Sequence, residues 1–108
     1  MSEQSLGEFE ELVLLMVAAH HDQAYGVLIL EQLEQKLNKK VNISAIHVAL
    51  KRLENKGFVT SRFGGITQDR GGRRKKYYVI TAAGKKKLDA QYALRTDIYQ
   101  QIPEISFS

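Results

Sequence analysis

Ile46, Ala49, Leu50 and Leu53 recur at i, i+3, i+4 and i+7 and then stop short of Gly57. That spacing predicts a helix with one apolar face, ended by a glycine free to take the left-handed conformation. Phe58-Val59-Thr60-Ser61-Arg62-Phe63 follows at once, rich in β-branched and aromatic residues, and predicts a strand. Lys76-Tyr77-Tyr78-Val79-Ile80 predicts a second strand, and the glycine-rich stretch between them closes a hairpin. A helix running straight into a hairpin leaves few folds open.

Upstream, Ser5-Leu6-Gly7-Glu8 has the form of a capping box for a first helix that reaches about His20. Leu12 to Ala18 is apolar almost all the way round, so this helix is expected to be buried on more than one side, with a second copy of the chain covering one of them. Asp22 and Gln23 turn into a second helix over about 24–37, whose inner side is Leu28, Ile29, Leu30, Leu33 and Leu37. Residues 38–43 leave room for a very short strand before the third helix, which is expected to start near Ser44. Downstream, Thr81 is a plausible cap for a last helix ending before Pro103.

The order is three helices, a hairpin and a helix: a mainly α fold with a small β-hairpin wing, a winged helix-turn-helix plus a C-terminal dimerisation helix. Residues 1–80 would form the winged helix, and residues 81–108 the dimerisation helix and tail.

Charge sharpens the reading. Residues 1–50 carry three Lys or Arg against seven Asp or Glu, and residues 51–108 carry thirteen against five, so −4 in one half meets +8 in the other. A localised basic surface suits a polyanion, although a solvated charge run is the alternative. On the third helix the side opposite the apolar stripe carries Ser44, Val48, Lys51 and Asn55, flanked by His47 and Arg52. Small and hydrogen-bonding groups near the helix start (Ser44, Ala45, His47, Val48) suit base edges in a major groove, and Lys51 and Arg52 suit phosphates. In the hairpin loop Arg70, Arg73, Arg74, Lys75 and Lys76 crowd together around Gly71-Gly72. Close cations repel, and a phosphate backbone relieves them. A charged loop tip on an ordinary surface is the other reading. Lys85, Lys86 and Lys87 are read as a solvated helix face.

The last helix presents Leu88, Tyr92, Tyr99 and Ile102 in a stripe, with Arg95 within it. Together with Phe9, Leu12, Leu14, Leu15 and Ala18 of the first helix, Leu88, Tyr92, Arg95 and Tyr99 are the expected dimer contacts.

Other chemistry finds little support. The absence of cysteine excludes disulfides, thiolate metal sites and a cysteine nucleophile. His20 and His21 point about 100° apart, a poor metal pair, and no catalytic constellation surrounds them. The expectation is therefore no enzyme, no metal and no cofactor. Met1-Ser2-Glu3-Gln4 does not read as a signal peptide, and the longest apolar run is too short to span a bilayer, so a cytoplasmic protein without membrane contact is expected.

Five stretches carry a resemblance: Leu6-Gly7-Glu8-Phe9-Glu10, Ala24-Tyr25-Gly26, the run from Ala49 to Gly57, the run from Arg70 to Tyr78, and Ile80-Thr81-Ala82-Ala83-Gly84. In that order they resemble the PadR family, the phenolic acid decarboxylase repressors and their relatives, in its shorter C-terminal form. The resemblance implies a homodimeric repressor on a near-palindromic DNA operator, with dimerisation through the first and last helices. It places Ser44, Ala45 and His47 at bases, and Lys51 and the wing cations at the backbone. A small aromatic or hydrophobic effector that releases the DNA also follows from it. The alternative is a winged-helix protein-interaction module without DNA-binding activity.

Overall fold

The computed structural model describes residues 5–66 and 74–108, with the side chains of residues 65, 66 and 74 outside that description. Along the chain lie α1 (Glu8–Ala19), β1 (Ala24–Tyr25), α2 (Gly26–Leu37), α3 (Ile43–Asn55), β2 (Val59–Ile66), β3 (Arg74–Ile80) and α4 (Ala82–Tyr99). The strands form one antiparallel sheet in the order β1-β3-β2.

Local chemistry sets most boundaries. The Asn42 side chain accepts the Ser44 N–H at 2.7 Å and so starts α3 one residue before the expected point. Gly57 ends it with φ +81°, a left-handed turn that other residues resist, and the Phe58 N–H reaches back to the Leu53 carbonyl. Thr81 caps α4 by accepting the Gly84 N–H at 3.0 Å while its hydroxyl donates to the Gly57 carbonyl at 2.7 Å. At Gly84 a Cβ would stand 2.3 Å from the Phe58 carbonyl oxygen, so only glycine lets α4 come this close to the hairpin base.

Two expectations fail. The capping box at Ser5 does not form: Gly7 is the N-cap of α1 and no side chain caps it. The Ser5 carbonyl instead accepts from Lys56 Nζ at 2.8 Å, which ties the start of the chain to α3. The short strand is also elsewhere. Ala24 and Tyr25 pair with Tyr78 and Tyr77, whereas 38–42 turns between α2 and α3 without forming a strand. Asn38 closes α2 in the left-handed region, and the Val41 N–H donates to the Glu34 carboxylate, so this backbone is satisfied without a strand.

The core is formed by Val13, Leu14 and Val17 of α1, Ile29 and Leu33 of α2, the expected α3 stripe of Ile46, Ala49, Leu50 and Leu53, and Val59 and Tyr78 of the sheet. Burial pushes the Tyr78 phenol above its ordinary pKa, and the charge of Glu54 acts in the same direction. α4 adds only Gly84 and Leu88 to the interior. The molecule is therefore long, 58 × 34 × 20 Å, with a radius of gyration of 16.5 Å, against about 13 Å for a compact chain of this length.

Candidate nucleic-acid interface

Because α3 buries its whole apolar stripe, its opposite arc is left to solvent. Ser44, His47, Val48, Lys51 and Asn55 are all exposed. Val48 is 50% exposed, an apolar side chain that the protomer itself covers only in part.

The arc continues onto neighbouring elements. His47 lies against the start of α2, where a Cβ at Gly26 would come within 2.9 Å of its Cε1. Next in the chain is Tyr25, and over its ring sits the Lys75 ammonium, 4.3 Å from the centroid. The Tyr77 ring meets Tyr25 edge-on at 5.8 Å, and the Arg62 guanidinium lies 5.2 Å from the Tyr77 centroid. Cations and rings thus alternate over the outer sheet face, and Tyr25 in this row is followed by Gly26, against which His47 of α3 lies.

Sheet geometry divides the basic run that the sequence reads as one unit. Successive strand residues face opposite sides. Lys75 shares the outer face with Tyr77, Tyr25 and Arg62, whereas Lys76 lies on the other face, 5.9 Å from the Phe63 ring and 5.7 Å from that of Tyr78. Arg70, Arg73 and the side chain of Arg74 lie outside the described residues.

Arg52 and Ala45 stand on the flank of α3 that faces α1. The Arg52 guanidinium is 3.7 Å from Glu10, whose nearly buried carboxylate also pairs with Lys56 Nζ at 2.7 Å. Expected as a phosphate ligand, Arg52 already has an anion within its own chain. Ala45 is half-buried and lines a groove with Phe9. Sequence reasoning missed Tyr25, Tyr77 and Arg62 as members of this surface. Their types carried a signal, but only the β1-β3-β2 register brings them together.

A second surface has the opposite chemistry. On α4, Tyr92 and Tyr99 are each 73% exposed, and Leu94 and Ile98 are exposed with them, as is Ile102 just beyond the helix. Leu15 of α1 is 44% exposed, and Phe9, Leu12 and Ala18 are half-buried. Arg95 bridges the two helices, its guanidinium 3.0 Å from Glu11. Two expected dimer residues are corrected here: Leu14, at 0% exposure, and Leu88 lie in the core of their own protomer and present no surface to a partner. Among the described residues there is no group of three His, Cys, Asp or Glu side chains that could hold a metal ion, and no helix long and apolar enough to cross a membrane.

Three helices, a two-stranded wing with β1 added at its edge, and an exposed arc on the third helix define a winged-helix protein. Residues 14–90 match the transcriptional regulator PadR-like family, and the chain belongs to that family. Among solved structures it is similar to a PadR family transcription regulator from hypervirulent Clostridium difficile R20291, with TM-score 0.72 and 26% identity over 87% of this chain and 93% of that one. It is also similar to a protein from Streptococcus mutans UA159, with TM-score 0.63 and 31% identity over 84% and 77% of the two chains. No curated protein matches the chain.

Proposed function

We propose that the protein is a sequence-specific DNA-binding transcriptional regulator, a homodimeric repressor acting at a near-palindromic operator. One observation carries the reading: α3 buries its whole apolar stripe yet keeps Ser44, His47, Val48 and Lys51 exposed. Ser44 and His47 have the hydrogen-bonding groups that read base edges, and Val48 suits a thymine methyl. Lys51 and Lys75, with Arg70, Arg73 and Arg74, neutralise phosphates. Residues 1–80 form the DNA-binding unit, and residues 81–108 serve dimerisation.

The exposed apolar side chains of α1 and α4 support the two-fold partner. A second copy seated there covers Leu15, Tyr92 and Tyr99 and repeats α3 on the same side of the dimer, as a palindrome requires. A small aromatic or hydrophobic effector, a cytoplasmic location and the lack of a catalytic role belong to the same reading.

Selection of duplexes from a random pool, followed by affinity measurements across a salt series, tests it. The wild type should enrich a near-palindrome and bind with a steep salt slope. Lys51→Ala should weaken every duplex alike and lower that slope by about 1, while His47→Ala should alter the enriched sequence. If no duplex binds at low salt, the reading fails and a protein-interaction role for the same scaffold takes its place.

A further inference from the structure

The alternation of cations and rings at the base of the wing does more than place charge there. A lysine side chain on a strand is ordinarily free over many rotamers, and ordering it on a phosphate costs affinity. Lys75 is not in that condition. Its ammonium sits over the face of Tyr25, where the ring quadrupole attracts it, and the residue is half-buried. Tyr25 is itself held: it belongs to β1, opposite Tyr77, and the two rings meet at 80°. Tyr77 is held in turn by Arg62 and by Gly64, where a Cβ would come 2.5 Å from the Tyr77 ring. At the other end of the row, Gly26 follows Tyr25 and lies against His47 of α3.

We propose that Tyr25 is a positioning residue for duplex binding: its ring holds the Lys75 ammonium at a set place on the outer sheet face, so that the β3 cation and α3, whose His47 lies against the neighbouring Gly26, meet one stretch of DNA as a preformed surface. This rests on the proposed function and deepens it. Tyr25 acts through Lys75. With its ring occupied by Lys75 and Tyr77, it needs no contact of its own with the nucleic acid.

The test compares Tyr25→Phe, Tyr25→Leu, Lys75→Met and the Tyr25→Leu/Lys75→Met double variant. All are measured by NMR without DNA and by affinity for a duplex recovered by selection. In the free wild type the Lys75 side-chain protons should carry an upfield ring-current shift that survives Tyr25→Phe and vanishes in Tyr25→Leu. On DNA, Tyr25→Phe should bind as the wild type does, and Tyr25→Leu should lose about fivefold, the scale of one cation–π contact. In the Lys75→Met background Tyr25→Leu should cost nothing further, an outcome that a general folding defect cannot mimic because such a defect persists without the lysine.

Multiplying losses in the double variant would overturn the proposal, as would an unshifted Lys75 in the wild type. If Tyr25→Phe falls as far as Tyr25→Leu, the hydroxyl touches the DNA directly and the positioning role is wrong. A wild type that binds no duplex removes both the proposed function and this role, whereas a binding wild type with an additive cycle removes this role alone.

Discussion

α3 and α4 dispose of their apolar residues in opposite ways. α3 turns Ile46, Ala49, Leu50 and Leu53 inward until almost nothing of them remains exposed, and only Val48 is left on its outer arc. α4 buries Leu88 near its start and then carries Tyr92, Leu94, Ile98 and Tyr99 into solvent. A helix satisfied within its protomer offers a partner mainly polar and charged groups. A helix left unsatisfied offers apolar area, and burying that area stabilises association. One short chain therefore has two surfaces of different chemistry, one mainly polar and charged and one apolar.

Leu50 gives the strongest way to break this contrast. Leu50→Ala removes a fully buried side chain from the centre of the core, and we expect a loss of about 3 kcal/mol in urea unfolding, from lost burial plus the cavity left behind. A loss below about 1 kcal/mol would mean that the core tolerates the gap and that α3 is not its centre.

The paired change Ile98→Asp with Tyr99→Asp probes the other side. Both residues are exposed in the protomer, so helical content should stay close to wild type by circular dichroism. Sedimentation should instead show a shift from dimer to monomer, with weaker binding to a two-half-site duplex. An unchanged mass would mean that α4 is not the partner surface.

The Tyr78 phenol supplies a smaller, pH-dependent effect. Burial raises its pKa in the folded state, so the folded chain holds this proton more tightly than the unfolded chain. The unfolded state ionises first as pH passes about 10, and stability falls from there upward until the folded-state phenol also ionises. Tyr78→Phe should flatten that fall in pH-dependent thermal melts, and an equally steep fall would assign it to other groups.

The smallest effect belongs to Glu11. In the free protomer its Arg95 partner is 66% exposed while Glu11 itself is 15% exposed, and solvent reaches the pair from the Arg95 side, so Glu11→Gln should cost about 1 kcal/mol or less of protomer stability. A clearly larger loss from the assembled protein would sharpen the comparison by placing the pair within the interface rather than at its rim.

Much of this was legible in the chain because it depends on near neighbours. Glycine at 57 and threonine at 81 act through conformations and hydrogen bonds that span a few residues, and both appear where expected. The α3 stripe is equally local, since helical period alone puts its four residues on one face. The candidate site was legible in part: the exposed arc follows directly from the stripe, but the surface beside it does not. The polar break at 38–43 leaves room for a very short strand, yet the pairing with β3 goes to Ala24 and Tyr25. Lys75 and Lys76 read as one basic cluster until the sheet turned them to opposite faces. Leu14 looked available to a partner because α1 is apolar all round, and nothing local says which side the other helices will cover.

By itself, then, the sequence determined the order of the four helices and the hairpin, the glycine end of α3, the Thr81 cap of α4 and the inward face of α3, since each follows from interactions within about one helical turn or one strand period. Only the tertiary structure decided which strand edge β1 would join, that Tyr25 would lie under Lys75, that Arg52 would stand beside Glu10, and which apolar residues of α1 and α4 would remain outside. Those outcomes depend on contacts between residues far apart in the chain, and a shift of one residue in strand register would reverse the face of every side chain involved.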